Sequence, residues 1–319
     1  MPLIIDSHVH VFPNPFESGA LSTGPLSDPI QKARQIARRW WKPVSASMHR
    51  TQGFLRHVPE SVRKKLDAVS GIVPLPGLLV ESTSADLIQS MNESRIDYAW
   101  VIAHSPLMPN EFVMDLCSRN PRLIPVVNMP QKASKPVQLL KAHFKRGAKA
   151  LKLHPAADGE APDSPRYRKL VRTATAAGVP IIIHTGCIHS RLLFKDPEQS
   201  RAERLVPLLK AFPETTFILA HMNFHDPNTA FDLAEKYPNI YLESSWQPAE
   251  VIGEAVRRIG AERILFGSDW PLVGSNLSIG LSRIRECVAA GTLSPEESRL
   301  VLGENAARLI GLKVEAHAT

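Results

Sequence analysis

The chain has 319 residues, 44% of them hydrophobic, and a formal net charge of +7; this is enough apolar material for a sizeable core and too much for a disordered segment. No apolar run approaches the ~20 residues of a membrane span, and Met1-Pro2-Leu3 lacks the basic stretch of a signal peptide. The three cysteines, Cys117, Cys187 and Cys287, stand far apart without a Cys-x-x-Cys pair, which argues against a disulfide framework and a thiolate zinc site and leaves a soluble, cytoplasmic protein as the expectation.

The first predicted strand, Leu3 to Ile5, runs into Asp6-Ser7-His8-Val9-His10. Side chains alternate along a strand with period two, so His8 and His10 face the same way at its C-terminal end, where a first-row metal such as zinc could hold both. Roughly eighty residues separate this strand from the next apolar run, too many for a structureless loop, and they predict a helical insertion at about residues 12–82 over the mouth of the fold. Within it, from Gln31 to Lys65, ten Lys/Arg face one acid, Glu60. A solvated helical face is the first reading of that stretch. The second is a lid that draws anionic substrates inward, with Trp40-Trp41 as apolar anchors. One basic stretch with one aromatic cluster argues against a nucleic-acid surface.

A helix near Ala85 to Ser94 follows, and then short β-branched runs alternate with runs of helical period. The further strands are Tyr98 to Ala103, Leu123 to Val127, Ala150 to Leu153, Pro180 to Ile183, Thr216 to Ala220, Ile240 to Leu242 and Arg263 to Phe266. Helices are predicted over Lys135 to Arg146, Pro165 to Ala177, Pro227 to Lys236 and Pro248 to Ile259, with prolines at their starts and Gly147, Gly178 and Gly260 at their ends. Buried, non-alternating strands interleaved with helices make a parallel sheet, and eight such units predict a single α/β domain, a (β/α)8 TIM barrel spanning residues 1–319. An open doubly wound sheet is the alternative, but no Gly-x-Gly-x-x-Gly follows any strand.

In such a barrel, chemistry collects at the C-terminal strand ends. Here those ends carry Asp6, His8 and His10 on the first strand, Lys152 and His154 on the fourth, His184 on the fifth, His221 on the sixth, Glu243 on the seventh and Asp269 on the eighth. Four of eight strands ending in histidine is a strong concentration for a chain with only twelve histidines. Together with Ile4-Ile5-Asp6-Ser7-His8-Val9-His10, the segments Leu151-Lys152-Leu153-His154-Pro155, Ile183-His184-Thr185-Gly186, Leu219-Ala220-His221-Met222, Leu265-Phe266-Gly267-Ser268-Asp269-Trp270-Pro271 and Gly303-Glu304-Asn305-Ala306-Ala307-Arg308-Leu309 resemble the amidohydrolase-related group of metal-dependent TIM-barrel proteins. The resemblance covers nearly the whole chain apart from the insertion.

That resemblance implies a metal held by His8, His10, His184 and Asp269, with Asp269 also shuttling protons and His221 steadying a substrate carbonyl or its developing oxyanion. It implies one divalent ion, zinc first and manganese, iron or cobalt as alternatives, with a second ion only if Lys152 is carboxylated. Otherwise Lys152 meets an anionic group of the substrate. His154 is either a substrate contact or a strand-end histidine bonded to backbone, and Arg191, His189 and His225 lie in loops at the same mouth, with Arg191 the candidate substrate contact among them. Cys187 lacks a base that would make it a nucleophile. The expected activity is hydrolysis of a small, carboxylated ester, lactone or amide through a metal-activated water. Non-oxidative decarboxylation of an aromatic or unsaturated acid is the alternative. A metal-dependent nuclease and a non-catalytic barrel rank below both, and the sequence leaves the oligomeric state open, a homodimer included.

Overall fold

The computed structural model describes residues 2–13, 16, 25, 27–70, 75–272 and 276–313. It contains eight parallel strands in consecutive order: β1 (Ile5–Val9), β2 (Tyr98–Ile102), β3 (Leu123–Asn128), β4 (Ala150–Leu153), β5 (Ile181–His184), β6 (Phe217–Ala220), β7 (Ile240–Glu243) and β8 (Ile264–Leu265). β8 returns to β1 through Ser7 N–H to Phe266 O (3.0 Å), Asp269 N–H to His8 O (2.7 Å) and His10 N–H to Trp270 O (2.7 Å). The sheet is thus a nearly closed barrel with helices between its strands.

Alternation along the strands divides the core in two. Ile5, Trp100, Ile102, Ile124, Val126, Ala150, Ile182, Ile218 and Leu265 pack together inside the barrel, and Ala306, Ala307 and Ile310 of the C-terminal helical segment join that cluster. Their neighbours one residue away, among them Leu151, Leu153, Ile181, Ile183, Phe217 and Leu219, pack outward against the helices. Continuing the inward rows by two residues leads from Ile102 to His104, from Val126 to Asn128, from Ala150 to Lys152 and from Ile182 to His184. The period that fills the barrel with aliphatic side chains therefore delivers a polar one to its C-terminal rim.

The first strand lies later than its apolar residues suggest. Leu3 to Ile5 is the hydrophobic run, but the strand covers Ile5–Val9, because the backbone groups of the polar Asp6-Ser7-His8 segment are the ones that pair with the neighbouring strand and close the barrel. The pairing with β2 shifts register between Asp6 and Val9, and past that irregularity His8 and His10 still share a side.

The expected insertion is helical where it is described: α1 (Ser27–Leu55), α2 (Glu60–Ser70) and α3 (Leu75–Val80), followed by the barrel helix α4 (Ser84–Ser94). Residues 14, 15, 17–24, 26 and 71–74 of it lie outside the described residues. The basic face of α1 is not simply solvated. Arg34 pairs with Asp86 at 2.6 Å, and Arg38 is buried, reaching Glu81 at 3.1 Å and Ser90 Oγ at 2.6 Å. Of the two tryptophans expected as anchors, Trp40 is 78% exposed while Trp41 is partly buried against Gly77, and polar contacts of Arg34 and Arg38 also hold α1 down. No described helix is long and apolar enough to cross a membrane.

Candidate metal centre

His8, His10 and Asp269 converge at the barrel mouth. His8 Nε2 lies 3.4 Å and His10 Nε2 3.3 Å from Asp269 Oδ1, and the three side chains are buried. Bonds of 2.0–2.1 Å to a tetrahedral zinc place ligand atoms roughly 3.3 Å apart, so this spacing is that of a coordination shell. The other ring nitrogens are committed: His8 Nδ1 donates to Glu243 Oε2 (2.9 Å) and His10 Nδ1 to the Ile102 carbonyl (2.9 Å). Each bond fixes the tautomer that leaves the Nε2 lone pair facing the centre, as ligating histidines require. The residues present therefore fit a divalent metal.

His184 is adjacent but differently disposed. Its Nδ1 meets His221 Nε2 at 3.1 Å, its ring stacks on His154 at 3.9 Å, and its Nε2 is buried without a partner. His221 is held at its other nitrogen by Ser245 Oγ (2.6 Å). Lys152, 1% exposed, places Nζ 3.4 Å from His8 Nε2, and burial lowers its ammonium to about 8. His154 Nδ1 accepts the Ala157 N–H (3.2 Å), which puts the ring proton on Nε2 and makes it a donor. Arg191 is not brought to this cluster: it is exposed, and its guanidinium donates to the Lys195 carbonyl at 3.1 Å.

Electrostatics keep these groups in useful protonation states. Burial holds His8, His154, His184 and His221 well below the usual imidazole range, so they are neutral, the form that ligates. Burial pushes the Asp269 carboxyl up; His8 and His10, while their rings carry a proton toward it, and the Trp246 indole N–H outweigh this and bring it to about 2. With both Nε2 lone pairs turned inward, a bound cation would take over that role. Burial drives Asp6 and Glu243, which lie behind the ligands, up to about 7. The sign of the acid response follows. An imidazole depressed in the fold takes up a proton more readily unfolded, so its contribution is complete above ~6.5 and is lost as pH falls toward the folded value, by at most ~1.4 kcal/mol per pH unit per group. Asp6 and Glu243 act in the opposite sense between ~4 and 7. With His104 also lowered to about 3 by burial, the histidines outnumber them, and the chelated protein should lose thermal stability between pH 7 and 5; a flat or rising midpoint in scanning fluorimetry would contradict this.

Three contributors were not assigned roles from sequence. Glu243 organises β7 against the ligands, taking bonds from His8 Nδ1, the Ser245 hydroxyl (2.9 Å) and the His221 N–H (3.3 Å). Trp246 holds Asp269 Oδ2 at 2.6 Å. His104, at the end of β2, sets its ring 4.9 Å from that of His154; it adds a fifth strand with a terminal histidine, and the inward period of β2 could have found it. The backbone is also unusual here, since His221 to Phe224, Trp246 and Asp269 all have positive φ, a cost that residues without glycine's freedom bear mainly at functional sites.

Gly267 shows how tightly this layer is built. A Cβ there would lie 2.2 Å from Glu243 Oε1, so Gly267→Ala must displace the carboxylate that orients His8. Loss of such an outer partner costs 10–100-fold in metal affinity. That loss should appear in chelator competition with little change in the helical circular dichroism, and unchanged affinity would show that Glu243 does not orient His8.

The amidohydrolase family profile matches residues 5–312. The chain belongs to the amidohydrolase family. Similar folds are those of an uncharacterized TIM-barrel protein of Bordetella bronchiseptica (18% identity, TM-score 0.66, covering 97% of this chain and 98% of that one), and 5-carboxyvanillate decarboxylase of Sphingomonas paucimobilis (14%, 0.60, 98% and 100%). A third is a probable 2-pyrone-4,6-dicarboxylic acid hydrolase of Acinetobacter baumannii with citric acid bound (14%, 0.57, 97% and 99%). At these identities the likeness concerns the fold. No curated protein matches the sequence significantly. Members of the amidohydrolase superfamily use a divalent metal. One structure of this fold, an amidohydrolase of Burkholderia multivorans, is described with bound zinc, and the neighbours of this fold include both a probable hydrolase and a decarboxylase.

Proposed function

We propose that this amidohydrolase is a metal-dependent hydrolase of a small, carboxylated ester, lactone or amide, with His8, His10 and Asp269 as ligands and His184, whose Nε2 is buried and unpartnered while Nδ1 meets His221, as the fourth. The carrying observation is the convergence of His8 Nε2 and His10 Nε2 on Asp269 Oδ1 at 3.3–3.4 Å while both Nδ1 atoms are engaged elsewhere. Zinc suits a set of imidazoles and one carboxylate best, with manganese, iron and cobalt as alternatives. Such an ion supplies Lewis acidity toward a carbonyl oxygen and lowers the pKa of water.

The chain's own groups do the rest. Beside a bound cation Asp269 would be ionised at neutral pH, so it begins as a proton acceptor for the attacking water and returns the proton to the leaving group. His221 would steady the charge that develops on the carbonyl oxygen through an Nε2–H, which requires Ser245 to donate to its Nδ1 in place of Glu243. Lys152 and the Nε2–H of His154 bind a substrate carboxylate, which selects an anionic substrate. Decarboxylation would instead begin by giving a proton to carbon, which needs Asp269 in its protonated form. Both 2-pyrone-4,6-dicarboxylate and 5-carboxyvanillate test the choice, since they are named by proteins of the same fold. Loss of the pyrone absorbance with uptake of base is expected. Carbon dioxide release from 5-carboxyvanillate without any lactone, ester or amide opening would replace hydrolysis by the lyase reading.

A further inference from the structure

A second set of ligand-type side chains lies away from the centre just described, on the loop that leaves β5. Cys187 Sγ is 3.4 Å from His189 Nδ1 and 3.8 Å from Glu198 Oε1, and His189 Nδ1 is 3.4 Å from Glu198 Oε1. With a zinc–sulfur bond of 2.3 Å and zinc–nitrogen or zinc–oxygen bonds near 2.0 Å, the edges of a tetrahedron are roughly 3.3–3.6 Å. Two of the three edges fall in that range and the sulfur–oxygen edge, at 3.8 Å, is slightly longer, so the three donors outline one face of such a polyhedron after a small approach of Cys187 to Glu198. We propose that Cys187, His189 and Glu198 form a second metal site, specific for a thiolate-seeking divalent ion such as zinc, that clips the insertion to the rim of the barrel.

The surroundings are those of a supported site. The remaining nitrogen of His189, Nε2, faces Glu60 Oε1 of α2 at 3.4 Å, the carboxylate–histidine pairing that orients metal-ligating imidazoles. The His189 backbone N–H donates to Asp67, also of α2, at 2.9 Å. Arg201 bonds Glu198 through Oε2 (2.5 Å), leaving Oε1 to the site, and it also pairs with Glu60, which Lys64 approaches at 3.4 Å. Burial and then Glu198 push the Cys187 thiol up to about 12, so binding expels its proton to solvent and leaves a metal–thiolate bond. Between Cys187 and Glu198 the loop carries Phe194, whose ring packs against those of His154 and His184 at 5.2 and 5.6 Å. An ion at the rim therefore fixes the loop that covers the hydrolytic pocket.

Cobalt(II) alone is the probe, because only a sulfur ligand gives a near-ultraviolet charge-transfer band, and no ligand at the barrel mouth contains sulfur. The chelated full-length protein should bind two equivalents and develop that band. Cys187→Ser should lose the band and one equivalent, and Glu60→Gln should keep the band but weaken that equivalent by ~10–100-fold. Asp269→Asn should lose the other equivalent and keep the band, so this site and the hydrolytic centre succeed or fail separately. A second equivalent held through a carboxylated Lys152 would give no sulfur band. Absence of the band in the wild type at saturating cobalt, or its survival in Cys187→Ser, overturns the proposal, and the wild-type result decides even if the variant does not fold.

Discussion

Asp269→Asn should reduce kcat/KM by ~10³-fold or more while leaving the fold intact, because the substitution removes a ligand and the proton carrier together. The amide is nearly isosteric. Its carbonyl can still accept from Trp246 Nε1, which holds Asp269 at 2.6 Å, and its NH2 can donate to the Nε2 lone pairs of His8 and His10 that now lie 3.3–3.4 Å from Oδ1. What it cannot do is carry negative charge or take a proton at neutral pH. Metal content and kcat/KM should therefore fall together, with the thermal midpoint of the metal-free protein little changed. The acid limb of the wild-type profile should report protons competing with the metal for the histidines. A variant that kept its metal and a tenth of its activity would show that another group moves the proton.

The parts of this centre that were legible in the sequence are those governed by strand period. His8 and His10 stand two apart, Lys152 lies two past the inward Ala150 inside β4, and His184 and Asp269 follow apolar runs, so their arrival at one rim follows from a parallel barrel with buried strands. His104 obeys the same period but sits two residues past β2, before Ser105-Pro106, where a reading guided by apolar runs stops. Glu243 was visible as a strand end, yet its work depends on the absent Cβ of Gly267 on the neighbouring strand, a close approach that no spacing encodes. The turn after β6 is similar: Gly186 leaves room for Phe224, where a Cβ would come within 2.4 Å.

The insertion makes the same point in energetic terms. Of its basic residues Lys32, Arg39, Lys42, Lys64 and Lys65 are exposed, as a solvated face requires, but Arg38 of α1 is buried against Glu81, and Glu81 Oε1 also accepts from Ser90 Oγ (2.7 Å) and from the indole N–H of Trp270 (2.9 Å), the residue that follows Asp269. One carboxylate thus joins α1, α4 and the end of β8. Arg38→Ala would leave that carboxylate buried without its cation, at a cost of about 3–5 kcal/mol. The thermal midpoint should fall clearly, and kcat/KM measured well below the midpoint should fall too, because Trp270 loses its fixed partner beside the metal ligand. Adding Glu81→Gln should recover most of the stability, since the neutral amide removes the unpaired charge and keeps an oxygen for Trp270. A single variant within ~1 kcal/mol of wild type, or a double variant no better than the single one, would mean that the insertion rests on the barrel without being bound through this network.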